Sequence, residues 1–107
     1  MSSTRRVMVS YKVKAGHDEE NEALVHAVYR ELAELRPDGF RYATFKLEDG
    51  LTFIHLASVE AEGGQSPLPG VNAFREFQSA LRERCDELPV VTELREVGSF
   101  RLFGDEK

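Results

Sequence analysis

The sequence predicts an α+β fold: one four-stranded antiparallel sheet carrying two helices on one of its faces. Three observations lead there. Four segments have the apolar, β-branched and aromatic character of strands, and two place apolar residues at the three- and four-residue spacings of amphipathic helices. They follow one another in the order β-α-β-β-α-β. A chain of 107 residues, 41% hydrophobic and 31% charged, suits a single domain over 1–107.

The first strand is "RVMVSYKV", with Val7, Val9, Tyr11 and Val13 on one face and Met8, Ser10 and Lys12 on the other. "KAGHDEENE" then breaks it at Gly16, offers Asp18 as an N-cap, and sets Glu19 and Glu20 in a first helical turn, where acids complement the helix dipole. The helix runs to about Leu35 on a stripe of Leu24, Val25, Val28, Leu32 and Leu35. It stops at "RPDG", since Pro37 disfavours helical geometry at Arg36 and Gly39 permits the turn out.

"FRYATFKL" and "LTFIHLASV" form a hairpin across "EDG". Its register has two solutions. A three-residue loop with left-handed Gly50 sets His55 opposite Ala43, beside a Phe45–Phe53 pair on the helix-covered face. A two-residue Asp49-Gly50 turn sets His55 opposite Thr44, with Tyr42 and Lys46, on the face away from the helices. The first is preferred, because Phe45 opposite Phe53 is a favourable buried pair.

The stretch 60–70, "EAEGGQSPLPG", is a loop rich in proline, glycine and acid. The second helix starts near Asn72, a candidate cap, and carries Phe74, Phe77, Leu81, Cys85 and Leu88 on one stripe until Pro89 ends it. "VVTELREVGSFRLF" is the last strand, bent at Gly98.

Charge and cysteine usage exclude several classes. The net charge is −5 and the basic residues are scattered among acids, so nucleic acid is not an expected partner. The single Cys85 rules out an intrachain disulfide and a mainly thiolate metal site. No apolar run is long enough for a membrane span or a secretion signal, and a cytoplasmic protein is expected.

The element order is that of the ferredoxin-like split arrangement. Its sheet has a second face that mixes aromatic, aliphatic and polar residues, which two copies packing sheet to sheet would cover; a homodimer is expected.

With these elements, the "FIHLASVE" strand and the aromatic "NAFREFQSAL" helix, residues 6 to 103 resemble the dimeric α+β barrel superfamily, in particular its antibiotic biosynthesis monooxygenase-like branch. The resemblance implies cofactor-free oxygenases acting on polycyclic phenols, haem-degrading enzymes or stress-responsive proteins. That branch often has a Trp near the end of the third strand and a His in the second helix. This chain has no Trp and its second helix has no His, which counts against a simple transfer of oxygenase or haem chemistry.

His55 is the candidate catalytic base, because an imidazole titrates near neutrality. Asn21 falls in the middle of the first helix's apolar stripe, where an amide needs partners, and an inward His55 would provide one. Asn21, Tyr11 and Phe53 are the candidate substrate-binding residues of the helix–sheet cleft, with Tyr29 nearby. Each has a plainer explanation: His55 as a satisfied core histidine, Asn21 as a late capping residue. His17 and His26 read as surface residues, Cys85 as a small core hydrophobe, and no metal site or resident cofactor is expected.

Two functions compete. One is an enzyme without a tightly held cofactor, acting on a small aromatic or quinone-like molecule, with His55 as base, Asn21 or Tyr11 orienting the substrate, and loop 60–70 as lid. The other is a non-catalytic small-molecule-binding or stress-related homodimer whose cleft is filled by side chains. Haem breakdown lacks its axial ligand.

Overall fold

The computed structural model describes residues 4–60 and 65–102. Its elements are β1 (Arg5–Val13), α1 (Asp18–Leu35), β2 (Phe40–Lys46), β3 (Thr52–Val59), a 3-10 turn (Leu68–Gly70), α2 (Asn72–Ser79), α3 (Leu81–Arg84) and β4 (Cys85–Leu94). The strands form one sheet in the order β2-β3-β1-β4, and every neighbouring pair is antiparallel. This is the expected ferredoxin-like arrangement.

The alternation in β1 does what its pattern requires. Tyr11 and Val13 are buried against α1 and α2, in a core that also holds Val25, Val28, Phe53, Phe77 and Leu81. On α1, Asn21, Val25 and Val28 are the buried residues, while Leu35 at the helix end is exposed. Asp18 is the first helical residue and His17 is the cap, one position earlier than the sequence suggested. Arg36 closes the helix in a left-handed conformation (φ 47°) and donates its N–H to the Leu32 carbonyl at 2.8 Å.

The hairpin register differs from the preferred one. Thr44 faces His55, Lys46 faces Phe53, and Phe45 faces Ile54. The cause is Asp49, whose carboxylate accepts from Leu51 N (2.9 Å), Thr52 N (2.8 Å) and Thr52 Oγ1 (2.5 Å). Those bonds fold Leu51 into the loop, leaving Leu47 N to donate to the Thr52 carbonyl at 2.8 Å. The loop is therefore four residues long, 48–51, with Gly50 left-handed (φ 75°). It shares its register with the two-residue turn, yet His55 lies on the helix-covered face and Phe45, 51% exposed, on the other.

The second helix also ends early. A break at Ala80 separates α2 from α3, and β4 begins at Cys85, where the stripe pattern would have continued the helix to Leu88. Pairing with β1 overrides that pattern: Cys85 faces Val13, and Arg84 O accepts from Lys14 N at 2.7 Å. Pro89 lies inside this edge strand rather than before it. The register slips between Ser10/Lys12 and again between Lys12/Val13, so Leu88-Pro89 and Asp86 are bulges, which spares the proline a ladder hydrogen bond.

Asn72 is likewise the first residue of α2 and not its cap. The carboxylate of Glu31, from α1, accepts from Asn72 N (3.1 Å) and Ala73 N (2.8 Å) in its place. Beyond Leu94 the chain leaves the sheet, so the strand expected to bend at Gly98 stops before it. Glu96 pairs with Arg6 on β1 and Leu102 shares a hollow with Ala43, Phe45 and Leu56, which carries the tail across part of the sheet's outer face.

Candidate functional site

Between the inner sheet face and α2, with the 3-10 turn and α3 beside it, lies a cavity of about 200 Å³. Its lining is mostly apolar: Val7, Val9, Ala57, Leu68, Phe74 and Val91 are among the wall residues, and Tyr11, Tyr42 and His55 supply the ring polarity. Ser66 and Leu68, from the described part of the 60–70 loop, border it. Residues 61–64 of that proposed lid lie outside the described residues.

His55 is 5% exposed and hydrogen-bonded at both ring nitrogens. Nε2 lies 2.8 Å from Tyr11 Oη. Nδ1 lies 2.7 Å from Tyr42 Oη and 3.2 Å from Thr44 Oγ1, which in turn lies 2.8 Å from Tyr29 Oη. The register puts this cluster together: His55 pairs with Val9 on one side and Thr44 on the other, so Tyr11 and Tyr42 flank it diagonally on the same face.

Asn21, fully buried on α1, donates from Nδ2 to Tyr11 Oη at 2.8 Å. Its Oδ1 accepts from Arg84 Nε (3.2 Å) and Nη2 (3.0 Å). Arg84 is 3% exposed, donates also to the Phe77 carbonyl at 2.9 Å, and lies 5.4 Å from the Phe77 ring centroid. Among the described residues no carboxylate pairs with it. The result is a continuous hydrogen-bonded chain, Arg84–Asn21–Tyr11–His55–Tyr42, buried as far as His55 and half-buried at Tyr42.

Burial sets the protonation states. It pushes the His55 imidazole down to about 4, so the ring is neutral near pH 7. It pushes the Tyr11, Tyr42 and Tyr29 phenols up; for Tyr11 the Asn21 hydrogen bond and the Arg84 charge oppose that rise. The site thus holds an uncharged imidazole between protonated phenols: it is free to accept a proton, but burial makes it a weaker base than the near-neutral ring expected from the sequence.

Of the residues singled out from sequence, His55 and Tyr11 line the cavity. Asn21 lies behind Tyr11 and reaches His55 only through it. Phe53 is 2% exposed, stacks on Tyr11 with centroids 5.6 Å apart, and does not line the cavity. His17 sits beside Glu20 at 3.2 Å, and His26 is exposed at the rim of a separate hollow between α1 and β2; neither lines the cavity. Among the described residues no group of three or more His, Cys, Asp or Glu is placed to hold a metal ion. Arg84 gives no signal in the sequence, because "LRERCDEL" reads as a charged helical surface. The alternation of "FRYATFK" is the available signal for Tyr42 and Thr44, once the register is known.

This arrangement of sheet and helices is the ferredoxin-like α+β fold, and several solved structures share it. A candidate antibiotic biosynthesis monooxygenase from Caulobacter crescentus CB15 superposes with a TM-score of 0.73 at 15% identity, over 91% of this chain and 92% of that one. A conserved protein from Methanosarcina mazei Go1 gives 0.69 at 21% identity, over 87% and 92%. A point mutant of SnoaB, a cofactor-independent oxygenase from Streptomyces nogalater, gives 0.63 at 17% identity, over 88% and 95%. No family model matches the sequence, and no curated protein matches it. The likeness is one of fold.

Proposed function

We propose that the protein is a cofactor-independent oxygenase, or a related enzyme, acting on a small aromatic or quinone-like substrate in the helix–sheet cavity. The observation that carries this is His55: a neutral imidazole with a tyrosine hydroxyl on each nitrogen, at the wall of a mostly apolar cavity. An oxygenase without a cofactor relies on the substrate's own anion to give electrons to dioxygen, so the protein's part is to remove one proton and hold the resulting oxyanion. Here the substrate proton passes to Tyr11 Oη as the Tyr11 proton passes to His55 Nε2. A volume of about 200 Å³ lies below the roughly 300 Å³ at which drug-sized sites begin, and favours one- or two-ring substrates. The oxygenase SnoaB among the fold neighbours supports the reaction class.

Oxygen uptake with one- and two-ring phenols and hydroquinones tests it, alongside thermal shift with the same compounds. Wild type should bind and consume oxygen, and His55→Gln should bind while losing activity about 100-fold or more. Turnover unchanged in a folded His55→Gln would overturn the role of the base.

One observation favours a second reading, a non-catalytic binding protein: both His55 nitrogens already have partners inside the protein. Binding without oxygen uptake for any ligand would select it. In either case the working unit is proposed to be a homodimer joined through the outer sheet face.

A further inference from the structure

Arg84 is a buried cation whose hydrogen bonds go to neutral groups, and the chemistry of the chain it heads has only one fully satisfied direction. A guanidinium only donates, so the Asn21 atom facing it is the oxygen and the atom facing Tyr11 is the NH2. Tyr11 Oη therefore accepts from Asn21. Its own proton has His55 Nε2 as its remaining partner among the described residues, and Tyr11 is 2% exposed, which leaves little access for water. Were Nε2 to carry the ring proton instead, Tyr11 would accept twice and bury an unsatisfied hydroxyl. A neutral His55 that accepts at Nε2 carries its proton on Nδ1 and donates it to Tyr42, with Thr44 as the longer acceptor. Tyr42 then accepts from His55, and its hydroxyl proton has no acceptor among the described residues. Tyr42 lines the cavity.

We propose that Arg84 is a positioning residue that fixes the direction of this chain, so that the group offered to a ligand is the Tyr42 hydroxyl proton and the ligand selected carries an acceptor oxygen such as a ketone or quinone carbonyl. This deepens the proposed function by naming the polar feature of its substrate, and it rests on the same cavity. It does not need turnover to be true. The low His55 pKa supports it, since a protonated ring would donate from both nitrogens and erase the direction.

The direction is read first in the ligand-free wild type by nitrogen-15 NMR of the imidazole. The expected signature is the Nδ1–H tautomer of His55; the Nε2–H tautomer overturns the proposal. Asn21→Asp reverses the chain with the shape kept: Arg84 pairs with one carboxylate oxygen, the other accepts the Tyr11 proton, and His55 switches to Nε2–H. If Asn21→Asp fails to fold, Arg84→Met leaves the Asn21 amide free to flip, and both tautomers should appear; an unmixed Nδ1–H signal there would overturn the role of Arg84.

Binding is then measured with acetophenone and with α-methylstyrene, which replaces the carbonyl oxygen by a methylene group. Wild type should prefer acetophenone roughly fivefold, the worth of one neutral hydrogen bond. Asn21→Asp should lose that preference with α-methylstyrene affinity unchanged. A preference that survives in Asn21→Asp, or binding of neither compound to wild type, overturns the ligand assignment. The expected tautomer and preference without oxygen uptake would overturn the oxygenase and leave this inference standing.

Discussion

A histidine held at about 4 by burial is uncharged in the folded chain at neutral pH, whereas unfolding returns it to its ordinary value of 6.5. Above pH 6.5 the ring is neutral in both states and stability does not depend on it. As pH falls from 6.5 to 4, the unfolded chain binds a proton that the folded chain refuses, so stability drops by about 3 kcal/mol. Urea denaturation at pH 7 and pH 4.5 should show most of that drop in wild type and not in His55→Gln; equal drops would mean that burial does not hold the ring neutral. The buried amide of Asn21 was readable from its place on the apolar stripe of α1, whereas the inward His55 was preferred through a register that the structure replaces. Arg84 was not. Its burial depends on a helix ending beneath it, and nothing in "RERC" distinguishes it from Arg82.

The elements themselves hold together partly by what they lend one another. Glu31 of α1 caps α2, whose own Asn72 does not. Glu31→Ala should therefore destabilise the protein by about 1 kcal/mol, as loss of a capping side chain does. Thermal unfolding checks this, with the midpoint falling roughly 4–8 °C for each kcal/mol. No change would mean that water replaces the carboxylate without loss. This cap is invisible in sequence, since its partners lie more than forty residues apart. The same holds for the end of the second helix. Cys85 and Leu88 fit a helical stripe, but β1 needs a fourth strand beside it, and long-range pairing outweighs local periodicity. The hairpin register turned on one carboxylate: two loops suited "EDG", and the Asp49 bonds to Leu51 and Thr52 set a third, of four residues.

For the protein as an assembled object, the outer sheet face matters most. Phe45, Val90 and Leu94 are 51%, 60% and 37% exposed on it, and Ile54 and Leu56 lie between them half-buried. Light scattering should give wild type twice the 12.1 kDa chain mass. Phe45→Asp should weaken the dimer about tenfold or more by placing a charge in the joint. A monomeric wild type would end the homodimer proposal. The β-α-β-β-α-β order was the most readable property of the chain, because it needs only the presence of each element and not its limits. The two margins of the sheet are not alike. On β4, two bulges and Pro89 spoil the even spacing of free N–H and C=O groups that an incoming strand would have to match, whereas β2 runs seven residues without proline or bulge. If concentrated protein aggregates by strand addition, growth should begin along β2, and a proline placed there would suppress it.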